Sequence, residues 1–125
     1  MYIFDTDILI DYLRLHKPAI QLLDGLQKSE RAICFLTPFE LLQGCDKKSQ
    51  SMKVDSFVKN FKILPVTPEI SKAALSMFRE VKWRSHIDIP DAFVAATAVA
   101  GGFTLVTRNL KHYRDIPKLK IEKPY

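Results

Sequence analysis

The sequence predicts an α/β domain of three layers, a mainly parallel central sheet flanked by helices, and three observations carry that prediction. Short apolar runs alternate along the chain with stretches whose apolar residues recur at helical spacing. The strand candidates are repeatedly followed by residues that start helices, which is how parallel strands are joined through crossovers. The 125 residues, 47% of them apolar, suffice for one core, and no repeat, low-complexity tract or long linker divides them.

Tyr2-Ile3-Phe4 is the first strand candidate and ends abruptly at Asp5-Thr6-Asp7. Ile8, Leu9, Tyr12 and Leu13 then mark one side of a helix. Lys17-Pro18 breaks it, and Pro18 opens a second helix with Ala19, Leu22, Leu23 and Leu26 as its stripe. Ala32 to Leu36 reads as a second strand. It runs into Thr37-Pro38-Phe39-Glu40, which has the form of a capping box with proline in the first helical position. Asp46 to Ser51 reads as a surface turn, and Met52, Phe57, Val58 and Phe61 as an amphipathic helix. Ile63 to Val66 is a third strand, for which Pro65 implies an edge position or an irregular segment. Thr67-Pro68-Glu69 starts the next helix, which gives way to a polar connection around Arg84-Ser85-His86. Asp88-Ile89-Pro90-Asp91 starts another whose Ala92 to Ala100 segment is apolar nearly all round, so it belongs in a central, close-packed position, stopped by Gly101-Gly102. Phe103 to Val106 follows as a strand ending at Thr107-Arg108-Asn109. A turn through Tyr113 and Asp115 leads to a last edge strand at Leu119 to Ile121.

Nineteen Lys and Arg against fourteen Asp and Glu leave a net charge of +5. That charge favours an anionic partner without identifying it, and solvation alone also accounts for a basic surface. The two cysteines make neither a disulfide framework nor a thiolate metal site and suit a reducing compartment. No leader and no apolar run of membrane-spanning length is evident, so the expected location is the cytoplasm. A glycine-rich phosphate loop and compact His/Cys ligand spacing are both missing.

The acids are more informative. Asp5, Glu40 and Asp91 each fall just after a strand or in the first turn of a helix, with Asp7, Asp88 and Asn109 as helpers. The C-terminal edge of a parallel sheet is where ligands bind. Crowded carboxylates are costly there unless a cation, a proton or water relieves them. Hard cations such as Mg²⁺ and Mn²⁺ favour oxygen ligands, and a bound cation serves phosphodiester hydrolysis. Each acid taken singly is also explained as a cap: Asp7 for the first helix, Glu40 with Thr37, and Asp88 with Asp91. His16, His86 and His112 fall in exposed turns or polar runs and are weaker candidates. Arg84, Arg108 and Lys111 stand beside inferred loops and are candidates for guiding a polyanionic partner through phosphate contacts, with solvation the competing account of Lys111.

Phe4-Asp5-Thr6-Asp7, Thr37-Pro38-Phe39-Glu40-Leu41, Ile89-Pro90-Asp91-Ala92-Phe93-Val94-Ala95-Ala96-Thr97-Ala98 and Leu105-Val106-Thr107-Arg108-Asn109 occur in this order over nearly the whole chain. In this ordered set the sequence resembles the PIN-domain nucleases, particularly the small VapC-type toxins of toxin–antitoxin pairs. The resemblance implies a PIN-like nuclease domain over residues 1–125. It carries catalytic and metal-binding roles onto Asp5, Glu40 and Asp91. It also places Thr6 and Thr107 as hydroxyl residues beside the site and Asn109 as the polar residue after the last core strand. It further implies an endoribonuclease dependent on Mg²⁺ or Mn²⁺, often a homodimer, inhibited by an antitoxin segment lying across the active groove. The chain departs from the pattern at two places: Asp7 stands where many relatives carry Asn, and Asn109 or His112 where several carry a fourth acid.

Two other functions compete. In a phosphatase of the haloacid-dehalogenase type, Asp5 would attack phosphorus and Asp7 would act as acid and base. Ile8-Leu9-Ile10 follows Asp7 here, however, in place of that family's glycine and hydroxyl residue. A noncatalytic PIN-like scaffold binding RNA or protein is the other.

Overall fold

The first strand of the chain is the middle strand of the sheet. In the computed structural model, which describes residues 1–125, β1 (Tyr2–Phe4) pairs with β2 (Arg31–Cys34) on one side and β4 (Thr104–Val106) on the other. β3 (Lys62–Leu64) lies outside β2 and β5 (Lys120–Glu122) outside β4, giving the order β3-β2-β1-β4-β5. All four pairings are parallel. Both edge expectations hold: β3 stops just before Pro65, which has no N–H for a further ladder bond.

Because side chains alternate across a strand, each central strand feeds both faces of the sheet. Ile3, Cys34 and Leu105 join one core with α5 (Pro68–Val81) and α6 (Ile89–Gly101). Phe4, Ile33 and Val106 join the other with α1 (Thr6–Leu13), α2 (Lys17–Asp24), α3 (Leu36–Gln43) and α4 (Lys48–Val58). Fully burying one such side chain is worth roughly 1.5–3 kcal/mol, so two such layers fix the register of a sheet whose strands are only three or four residues long. The three-layer α/β expectation is met.

The alanine-rich helix takes the central position its composition requires. Ala92, Ala95, Ala96 and Ala98 are buried, and α6 packs on α5 and touches β2 and β4. Gly102 adopts the left-handed conformation (φ 67°), and the Phe103 N–H reaches back 2.9 Å to the Ala98 carbonyl to close the helix.

Several boundaries differ from those expected. β2 ends at Cys34, and Leu36 already belongs to α3. The capping box at Thr37 and Glu40 does not form. Phe35, with helical φ and ψ, occupies the N-cap without a side-chain bond, and Pro38 sits within the first turn, where a missing N–H leaves no helical bond unmade. The polar Asp46–Ser51 stretch, expected as a turn, is mostly helix. α4 starts at Lys48, and Gln50 Oε1 accepts from the N–H groups of Asp46 and Lys47 at 2.7 and 3.2 Å. A polar helix start facing solvent lacks the apolar periodicity that would distinguish it from a turn. The turn expected through Tyr113 contains α7 (Leu110–Tyr113). No helix of the chain is long and apolar enough to cross a membrane.

Candidate active site

The parallel sheet carries β1 and β4 side by side to one edge, and their ends deliver Asp5 and Thr107 together. Asp5 is only 5% exposed. It is the N-cap of α1, with Oδ1 accepting from the Thr6 N–H at 2.9 Å, so Asp5 rather than Asp7 holds the cap. Its Oδ2 accepts from the Thr107 hydroxyl at 2.9 Å and lies 3.0 Å from the Tyr113 hydroxyl.

Asp91 arrives from the other side, on the first turn of α6. Here the acidic capping box forms: Asp88 Oδ1 accepts from the Asp91 N–H at 3.0 Å, and Asp91 Oδ2 accepts from the Asp88 N–H at 3.2 Å. Asp91 is nevertheless buried, and its other oxygen lies 2.9 Å from the Tyr113 hydroxyl. His112 Nδ1 stands 2.7 Å from Asp91 Oδ2. Glu40, freed from a capping role, turns towards the same edge, where Oε1 accepts from the Thr6 hydroxyl at 2.8 Å.

This is an acidic place whose charge is poorly relieved. Burial first, then the neighbouring Asp91, push the Asp5 carboxyl above its ordinary range against the pull of its hydrogen bonds. Asp91 is pushed up to about 6, chiefly by burial. Asp7 also rises to about 6, through burial and then the charge of Asp5. Glu40 is raised by burial, with Asp5 and Asp88 adding to it. The Tyr113 hydroxyl, buried between Asp5 and Asp91, is held well above its usual range. A phenol has one proton to donate, so its short contacts to two carboxylates also favour a protonated carboxyl.

The supporting candidates separate. Asp7 Oδ2 accepts from the Arg108 backbone N–H at 2.9 Å, whereas Oδ1 is buried without a partner. The Asn109 side chain is exposed, and its backbone N–H donates to Thr107 Oγ1 at 3.0 Å, so here it orients the threonine through its main chain. Arg108 pairs through Nε with Asp11 Oδ2 at 2.8 Å, and Tyr125 donates to that oxygen at 2.7 Å. Its charge is partly engaged by α1. Arg84 is exposed and lies 3.7 Å from Glu80, while Lys111 is exposed on α7. A cleft of ≈ 420 Å³ opens beside Glu40 between α1, α3 and α4, with Ile10, Leu41 and Val54 in its wall and Arg14 and Lys53 among its lining residues.

Sequence reasoning missed Tyr113, the fully buried residue that touches both acids, and placed His112 on the surface. The available signal was the pairing of Tyr113 with Ile116 at i, i+3, both buried, inside a run otherwise polar. Asp11 was also missed.

The model of the PIN domain matches residues 2–119. The chain belongs to the PIN-domain family. Within that family this PIN protein is homologous to VapC-type toxins. It is 33% identical to "Ribonuclease VapC19" of Mycobacterium tuberculosis over 129 aligned positions, covering all of both chains. It is 29% identical to "Ribonuclease VapC1" of Methanocaldococcus jannaschii over 94% of this chain and 82% of that one. Among solved structures, a toxin–antitoxin complex from Klebsiella pneumoniae superposes with a TM-score of 0.84 at 30% identity, covering 100% of this chain and 98% of the matched one. VapBC2 from Rickettsia felis, bound to a promoter DNA fragment, gives 0.83 at 26% identity over 97% and 96%.

A metal ion suits the chemistry of this PIN site, although no three His, Cys, Asp or Glu side chains are grouped so as to hold one. The available donors are hard carboxylate oxygens, and burial makes their negative charge costly. A carboxylate oxygen accepts about two hydrogen bonds. Asp5 Oδ2 and Asp91 Oδ2 each have two polar neighbours, whereas Asp5 Oδ1 and Asp91 Oδ1 have one each and Glu40 Oε2 none. The site is a largely buried acidic edge with spare acceptor capacity on all three principal acids.

Proposed function

We propose that residues 1–125 act as one metal-dependent endoribonuclease domain, the toxin of a toxin–antitoxin pair working in the cytoplasm. The observation that carries this reading is the convergence of Asp5 and Asp91 on one buried hydroxyl in a chain of the PIN family. The relatives named as ribonucleases and the solved toxin–antitoxin complexes support the substrate class and the partner. The free cysteines agree with a reducing compartment.

Asp5, Glu40 and Asp91 would hold Mg²⁺ or Mn²⁺. Such an ion makes its bound water easier to deprotonate and neutralises charge on the phosphoryl oxygens. The protein's part is positional. Thr6 and Thr107 hold Asp5, the Thr6 hydroxyl also holds Glu40, and the start of α6 holds Asp91. Exposed Arg84 and Lys111, with the partly engaged Arg108, would meet the RNA backbone. An antitoxin would silence the site by placing a cationic side chain against the acids, where a charged hydrogen bond replaces the metal's neutralisation. We place this unit in a homodimer, which would present two acidic sites in one symmetric assembly.

The test combines RNA cleavage by the purified protein with added and chelated divalent cations and native mass measurement of the protein expressed beside its genomic neighbour. Wild type should cleave RNA only with Mg²⁺ or Mn²⁺, Asp5→Asn and Asp91→Asn should stay folded and inactive, and the neighbour should co-purify and suppress cleavage. Cleavage indifferent to chelation would sink the metal assignment. Phosphomonoester hydrolysis through a trappable aspartyl-phosphate, with RNA left intact, would replace the nuclease by the phosphatase. An active monomer without a co-purifying neighbour would remove the toxin–antitoxin reading.

A further inference from the structure

Asp5 and Asp91 come from different elements, one from the end of β1 and the other from the start of α6, and no direct hydrogen bond joins them. Tyr113 is the residue whose side chain reaches both, at 3.0 Å from Asp5 Oδ2 and 2.9 Å from Asp91 Oδ1. Its ring is fully buried, and it belongs to the same core as α6 residues Ala92 and Ala95. The phenol therefore stands on a fixed base. Thr107 meets the same Asp5 oxygen at 2.9 Å, and His112 meets the far oxygen of Asp91 at 2.7 Å.

We propose that Tyr113 is a positioning residue for the acid pair: its buried hydroxyl donates its one proton to one of Asp5 and Asp91 while its oxygen limits the approach of the other, and a cation that neutralises both carboxylates is met by their remaining acceptor sites. The proposal rests on the metal-dependent reading above. It adds a role for a residue outside the three principal acids. The competing account is that Tyr113 is a core aromatic whose hydroxyl merely finds partners where it emerges. The accounts differ in what the hydroxyl does once packing is preserved. Phe in its place fills the same core and removes the one contact the two carboxylates share, leaving Asp5 held by Thr6 and Thr107 and Asp91 by Asp88 and His112. Removing an outer hydrogen-bond partner of a ligand typically weakens metal binding by about 10- to 100-fold.

The test uses the full chain and Mn²⁺ alone, without RNA, so that binding is read apart from catalysis. Mn²⁺ affinity is measured by calorimetry and by the paramagnetic relaxation of bulk water for wild type, Tyr113→Phe, Thr107→Val and Asp91→Asn. Tyr113→Phe should keep a folded spectrum and weaken Mn²⁺ binding at least about tenfold. Its RNA cleavage at saturating Mn²⁺ should fall mainly in kcat, with KM for RNA near the wild-type value. Thr107→Val, which frees only Asp5, should weaken Mn²⁺ binding less. A Tyr113→Phe protein that binds Mn²⁺ within twofold of wild type overturns the positioning role, whatever happens to its melting temperature. If Tyr113→Phe cannot be obtained folded, a Thr107→Val effect on Mn²⁺ at least as large as loss of Asp91 would assign positioning to the threonine and overturn the proposal. Wild type without saturable Mn²⁺ binding removes the metal reading itself, and Tyr113 with it.

Discussion

The starts of α3 and α6 look alike in the sequence and behave differently in the fold. Each offers a short polar residue followed three positions later by an acid, Thr37 with Glu40 and Asp88 with Asp91. At α6 the reciprocal bonds form, and Asp91 closes its helix while facing the site with its other oxygen. At α3 the helix begins two residues early, Thr37 is buried without a partner, and Glu40 is released sideways to Thr6. An acid near a helix start is thus committed to its own backbone at Asp91, in the first turn of α6, and to a neighbouring element at Glu40, beyond the first turn of α3. Asp91 should couple stability to activity, and Glu40 should affect activity almost alone.

The largest effect expected from this contrast is on catalysis. Glu40→Gln and Asp91→Asn should each lower RNA cleavage by roughly a hundredfold or more, the scale of losing one charge-stabilising group at a reacting centre. Chemical denaturation of the alanine variants should separate them, with Asp91→Ala losing its bond to the Asp88 N–H and Glu40→Ala melting closer to wild type. Equal destabilisation by both would erase the distinction.

The next effect is on pH. Asp7 and Asp91 ionise near 6 in the folded chain, against 3.8 in their unpaired state. A raised carboxyl pKa means that the folded state binds more protons, so these groups make stability fall as pH rises from about 4 through 6. Protein stripped of divalent cations should therefore melt lower at pH 7 than at pH 5, and Asp7→Asn should flatten the slope. Calorimetric melting across that range is the check, and a rise in stability towards neutrality would contradict the burial of these acids.

A smaller effect concerns the cap itself. Asp88→Ala should cost about 1 kcal/mol in urea unfolding, the usual value of an N-cap, with RNA cleavage reduced much less than by Asp91→Asn. The smallest involves the α3 start. Thr37→Val removes a buried hydroxyl without a partner and should be neutral or stabilising by up to about 1 kcal/mol. A clear loss of stability would show that Thr37 has a hydrogen-bond partner after all.

The order and nature of the elements were legible because two periodicities and a few stop signals carry them. Pro65 marked an edge, Gly101-Gly102 ended the apolar helix, and Ala92 to Ala98 announced a close-packed position. Asp5 and Asp91 were legible as candidates because they punctuate apolar runs. What escaped depends on contacts between distant parts of the chain. Thr37-Pro38-Phe39-Glu40 has all the local features of a cap, yet the helix starts at Leu36 and Glu40 accepts from Thr6, 34 residues away. Tyr113 escaped for the same reason: in a run of Lys, His, Arg and Asp its burial depends on α6 and β1 standing above it. Arg108 looked like a free cation because Asp11, which engages it, lies 97 residues earlier.

The sheet order also has a consequence for biosynthesis. β1 emerges from the ribosome first, yet it is the central strand, and one of its two neighbours, β4, is made about a hundred residues later. Asp5 meets Thr107 across 102 positions and Tyr113 across 108. Domains fold only once the segments that contact one another have been synthesised. A nascent chain interrupted between residues 91 and 104 thus carries Asp5, Glu40 and Asp91 but neither β4 nor the Thr107 and Tyr113 hydroxyls that meet Asp5 at that edge. If the chain is the toxin proposed above, prematurely terminated copies should be harmless to the cell that makes them, and cleavage would begin only when about its last sixth has been translated.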